Sequence, residues 1–139
     1  MDDPHNLQRF VEAQAPVIQQ VLRELRAGRK SSHWMWFIFP QLRGLGRSSM
    51  AEKYAIASRE EAEAYLRHEV LGPRLLQCTR LVNLVESKPI SEILGYPDDL
   101  KFHSSMTLFA SVASDERIFN DALTKYFAGK LDPLTVERL

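Results

Sequence analysis

The chain has 139 residues, 45% of them apolar, which suits one domain with a buried core. Eighteen basic and eighteen acidic side chains cancel, giving a sequence pI near 6.9, without the basic excess of a general nucleic-acid binder. A single cysteine, Cys78, excludes an internal disulfide framework and suits a reducing compartment.

The N-terminus "MDDPHNLQRF" is acidic and polar, unlike the basic start and apolar run of a signal peptide. The longest apolar run has six residues, against ~20 needed to span a bilayer. The expectation is a cytoplasmic protein without a membrane partner. Asp3-Pro4 signals a helix start, with Leu7, Phe10, Val11 and Gln14 on one face. Pro16 interrupts that helix or begins the next, in which Val17, Val21, Leu22 and Leu25 form a stripe that Gly28 ends. Arg23, Arg26, Arg29 and Lys30 crowd its C-terminal end, where cations complement the helix dipole.

"SSHWMWFIFPQLRGLGRSS" follows, holding both tryptophans. Trp34 to Phe39 is too short for periodicity to separate strand from helix, but a lone strand has no visible partner. The run therefore reads as a short buried helix capped by Ser31 or Ser32 and ending before Pro40. On such a helix His33 shares a face with Trp36 and Phe37. Trp34 and Trp36 cannot both point the same way, so one packs inward while the other lines a cleft. "GLGRSS", Gly44 to Ser49, reads either as a plain connection or as an anion cradle before a helix N-terminus.

Ser48 caps "SMAEKYAIA", and Ser58 with Glu61 matches a capping box. Pro73 lies in the first turn of a helix whose Leu75, Cys78, Leu81, Val82 and Val85 repeat at helical spacing. Cys78 is thereby a buried core residue in preference to a nucleophile. Pro89 and Gly95 bracket "ISEIL"; Asp98 and Ser114 offer caps for the next two helices, and Asp132-Pro133 opens a last turn. In "PDDLKFHSSMTLFA" the polar Lys101, Ser104, Ser105 and Thr107 sit on a helix with an apolar Phe102, Met106, Phe109 stripe. Their hydroxyls either bond back to carbonyls one turn earlier or present donors to an anionic or polyhydroxylated ligand.

No segment alternates with period two, and no hairpin turn, internal repeat, low-complexity tract or linker is visible. The fold class is all-α: residues 1–139 form a single compact irregular bundle of about eight helices. Phosphate loops, dinucleotide fingerprints, nucleophile elbows and zinc-protease motifs are absent. His5, His33, His68 and His103 form no metal spacing with Cys78 or the carboxylates, so no metal and no cofactor are expected.

"HWMWFIFPQLRGLG" and "DDLKFHSSMTLF", within a likeness covering nearly the whole chain, resemble the domain-of-unknown-function 1810 family of bacterial proteins, which has a mycobacterial member of known all-helical structure. The resemblance implies a compact helical domain and brings no substrate, cofactor or catalytic residue.

Two functional readings remain from the residues. In the first, an anionic, nucleotide-like small molecule is bound or hydrolysed between the two motifs. Trp34 or Trp36 would stack a ring, Arg43, Arg47 and Lys101 would meet negative charge, and Gln41, Ser104, Ser105 and Thr107 would orient the ligand. His33, Asp98 or Asp99 would be the general base. This reading places His33, Gln41, Lys101 and Ser105 around one cavity. In the second, the chain is a non-enzymatic helical module for a protein partner, its aromatic run is core and its polar residues are caps and packing bonds.

Overall fold

The computed structural model describes residues 2–139. Its helices are α1 (Gln8–Gln14), α2 (Ile18–Arg26), α3 (Met35–Ile38), α4 (Ser49–Lys53) and α5 (Arg59–Arg67). They continue as α6 (Leu71–Leu84), α7 (Ile90–Leu94), α8 (Asp98–Val112), α9 (Ile118–Phe127) and α10 (Pro133–Arg138). The fold is all-α, as expected, with ten helices among the described residues against the expected total of about eight. The sole extended pairing among the described residues is one parallel bridge, Leu42 with Ile56. It forms because the chain leaving α3 runs beside the chain leaving α4, with Ile56 N donating to Gln41 O and Arg43 N to Ile56 O, each at 2.8 Å.

Helix α8 is the centre of the arrangement, packed against α5, α7, α9 and α10, while α6 lies on α2, α5 and α9. Phe102, Met106 and Phe109 on α8 are fully buried. A line of rings runs through the core: Phe10 to Tyr65 at 5.1 Å, Tyr65 to Phe109 at 5.4 Å and Phe109 to Phe119 at 5.8 Å between centroids. Such tilted and edge-on pairs add modestly to the large area that aromatic side chains bury.

Buried polar groups tie the elements together. The Gln14 amide of α1 donates to Phe37 O at 2.7 Å and to the Tyr65 hydroxyl at 3.0 Å. Arg9 spends its guanidinium on four backbone carbonyls (His5, Asn6, Lys53 and Ala55) and on Glu61, at 2.9 Å. That consumes all of its donor groups in holding α1, α4 and α5 together.

Several local signals act as the sequence dictates. Ser48 and Ser58 accept from the backbone N–H three residues on, and Pro133 occupies the first turn of α10. Others are diverted. Ser31 and Ser32 do not cap α3, which starts after Trp34 with no side-chain cap. Their backbone N–H groups donate to Glu24 instead, because that buried carboxylate on α2 needs donors more than a four-residue helix needs a cap. Asp98 lies inside α8, and α9 begins after Arg117, not at Ser114. No described helix is long and apolar enough to cross a membrane.

Candidate functional site

The two motifs meet where α3 faces α8. The rings of Phe39 and Phe102 approach edge-on at 5.0 Å, and the Lys101 ammonium stands 5.4 Å from the Trp36 ring. Trp34 points inward and is buried, and Trp36 is left half-buried under Lys101. The alternation of i and i+2 thus sends one indole into the core and one to the surface. Trp34 has no free face for a ligand ring. Its Nε1 donates to Glu24 Oε1 at 2.9 Å, and the Lys30 ammonium covers the ring at 5.1 Å.

Lys30 is the unexpected member of this cluster. Its side chain is 8% exposed, and its ammonium reaches Asp98 Oδ2 at 2.9 Å. The other oxygen of Asp98 faces Lys101 Nζ at 3.7 Å. Asp98 is therefore engaged on both oxygens, a poor arrangement for a general base. Asp99 turns its Oδ1 onto the Leu100 N–H at 2.9 Å. His33 is exposed and precedes α3, so it does not share a helical face with Trp36 and Phe37.

The hydroxyls of α8 mostly serve packing. Ser104 Oγ donates to Leu100 O and to Asp132 Oδ2, and Thr107 Oγ1 donates to His103 O while accepting from Asp132 N. These bonds peg the start of α10 against α8. Ser105 differs: it is fully buried and its Oγ has no hydrogen-bond partner.

Gln41, Arg43 and Arg47 lie on the loop that leaves α3. Arg43 and Arg47 are exposed, and among the described residues no carboxylate lies within 4.0 Å of either. Two clefts flank Arg43. One, of about 310 Å³, is lined by Arg43, Gly44, Gly46, Glu52 and Ala55. The other, of about 470 Å³, shares Arg43, Glu52 and Ala55 and extends to His5, Arg9 and Glu61. Neither these two clefts nor three others on the described surface are lined by His33, Trp36, Gln41, Lys101 or Ser105. No group of three or more His, Cys, Asp or Glu side chains among the described residues could hold a metal ion.

The pattern of the family described as "protein of unknown function (DUF1810)" matches residues 4–139. The chain belongs to this DUF1810 family. A conserved hypothetical protein from Mycobacterium tuberculosis, known from a 1.38 Å crystal structure, is 58% identical and superposes with a TM-score of 0.97. That match covers 99% of this chain and 98% of the mycobacterial one. No curated protein matches.

In this DUF1810 protein three residues that organise the site region carry little signal in the sequence. Lys30 reads as one of several cations at the end of α2, and only the fold brings Asp98 to it. Glu24 reads as a surface acid beside two arginines, yet it accepts from Gln20, Ser31, Ser32 and Trp34. Arg138, at the far end of the chain, lies against Gly44: a Cβ built there would stand 2.5 Å from its Nη1. No local pattern announces that contact.

Proposed function

We propose that this DUF1810 protein binds an anionic small molecule at the clefts beside Arg43, without performing chemistry on it. The observation that carries the reading is the pairing of unneutralised guanidinium groups with concave surface: Arg43 and Arg47 share one loop, and Arg43 lines both clefts. Guanidinium groups recognise carboxylate and phosphate through paired N–H donors, and ligand sites are concave.

Glu52 on the same walls restricts the ligand. It would repel a dense polyanion and accept hydrogen bonds from hydroxyl or amino groups, so the fitting class is a singly or doubly charged anion that also carries donors. No Phe, Tyr or Trp ring lines either cleft, which gives a stacked nucleobase little support here. His33, Asp98 and Asp99 lie outside the lining, and this favours binding over hydrolysis.

A thermal-unfolding screen with inorganic phosphate, sugar phosphates and hydroxy acids tests the reading. At least one should raise the wild-type midpoint, and Arg43→Ala, an exposed substitution, should abolish the rise without lowering the unliganded midpoint. A rise that survives Arg43→Ala, or none across the panel, would overturn it.

A second reading, a helical module for a protein partner, is favoured by Tyr96 and Leu100 at the start of α8, which are 79% and 52% exposed. A stoichiometric partner that co-purifies with the wild type and is lost in Leu100→Ser, alongside an empty anion screen, would select it.

A further inference from the structure

The groove between α8 and α10 has a different chemistry from the clefts at Arg43. It has a volume of about 380 Å³, within the range of small-molecule sites, and its walls are mainly apolar. Ala110 of α8 forms part of the floor, while Leu131, Val136 and Leu139 face it from the C-terminal segment. These three are 51%, 46% and 37% exposed, so a good deal of apolar surface at the groove is left in water.

Two hydroxyls in the groove are already used. Thr107 bonds to His103 O and Asp132 N, and Ser111 Oγ donates to Thr107 O and Leu108 O. The middle of the groove therefore offers few free donors. One end differs: Arg59 donates a single Nη2 hydrogen bond to Ser111 O at 3.0 Å and has no carboxylate within 4.0 Å among the described residues. Most of its five N–H donors stay open. Asn120 adds an exposed amide, and Arg59 is the one charged side chain of the lining.

We propose that this groove binds a small organic monocarboxylate with an apolar body, its carboxylate on Arg59 and Asn120 and its body against Ala110, Leu131, Val136 and Leu139. Charge complementarity selects the anion, and the spent hydroxyls and exposed aliphatic side chains select the apolar body. The α10 wall suits such an occupant. Within α10 only Thr135 is buried, and Asp132 pegs the start of the helix through Ser104, Thr107 and Thr135, so the wall is held by polar bonds while its apolar side chains stay free to meet an occupant. This proposal is independent of the Arg43 clefts.

Isothermal titration with octanoate and with octanol tests it. Octanoate should bind at one site, at least tenfold more tightly than octanol. Arg59→Ala should remove that preference while leaving octanol binding in place, and Val136→Asp should abolish both. Circular dichroism confirms that each variant remains folded. Octanoate binding insensitive to both substitutions, equal affinity for octanol, or no binding would overturn the proposal. So would concentration-dependent self-association abolished by Val136→Asp, which would assign the groove to a second copy of the chain.

Discussion

The Trp34 indole donates to Glu24 Oε1 across 2.9 Å, with both side chains buried. Around the same carboxylate stand the Ser32 hydroxyl at 2.5 Å, the Ser31 and Ser32 N–H groups and the Gln20 amide. Glu24 is thus the post around which the chain turns from α2 into the aromatic run, and it decides where Trp34 points.

That arrangement makes folding pH-dependent. Burial alone would raise the Glu24 pKa, but the hydrogen bonds from Ser32, Ser31, Gln20 and Trp34 outweigh it and hold the carboxyl at about 2 against an ordinary 4.5. A depressed folded pKa contributes stability that is full above the unfolded value and is lost as pH falls from there toward the folded one. Urea unfolding should therefore show a loss on the order of 2 kcal/mol from this group by pH 3. In Glu24→Gln the pH 6 stability should already be lower, and the decline toward pH 3 correspondingly shallower than in wild type.

The two lysines on Asp98 differ in weight. Lys30 is nearly enclosed, so Asp98→Ala strands a buried ammonium and should cost about 3 kcal/mol in denaturant unfolding. Lys101 is three times more exposed, at 25% against 8%, and its contact is longer. Lys101→Ala should cost under about 1 kcal/mol. Equal losses in the two variants would mean that the buried Lys30 pair does not lock α8 to the α2–α3 connection.

Two glycines are required for separate reasons. At Gly72 a Cβ would stand 2.2 Å from the Leu66 carbonyl oxygen, backbone that cannot swing aside, so Gly72→Ala should destabilise by roughly 1–3 kcal/mol. At Gly44 a Cβ meets only the far end of the Arg138 side chain, but φ is +95°. Gly44→Ala should cost about 1 kcal/mol through the backbone, and Arg138→Ala should not rescue it. Thermal melts of the two single variants and the Gly44/Arg138 double variant check both.

Cys78 should be chemically silent in the native state. It is buried, and burial pushes its thiol up to about 12, with Arg74 opposing only in part. The thiolate is the reactive form. A thiol-specific chromogenic reagent should react at the global unfolding rate, whereas rapid labelling in native buffer would show that the core around α6 opens locally.

Much of the fold follows from short-range chemistry. The caps at Ser48 and Ser58, the break at Pro16 and the proline start of α10 each act within one helical turn, and the stripes on α2, α6 and α8 identify the core. The site is less legible because its determinants are long-range. Ser31 and Ser32 look like caps until Glu24 arrives from the preceding helix, and His33 would face Trp36 only if α3 started earlier than it does. Ser104 and Thr107 divide their bonds between their own helix and Asp132, far along the chain. Both hydroxyls thus take the first of their two expected roles, bonding back to carbonyls one turn earlier, while Ser105 is without a partner.

Backbone amide chemical-shift mapping during titration with inorganic phosphate and a sugar phosphate tests anion binding at Arg43 most directly. Saturable shifts should concentrate at Gln41 to Ser48 and Glu52 to Ala57, and Arg43→Ala should erase them. The absence of saturable shifts there, or a response centred on Trp36, Asp98 and Lys101, would contradict the proposed site.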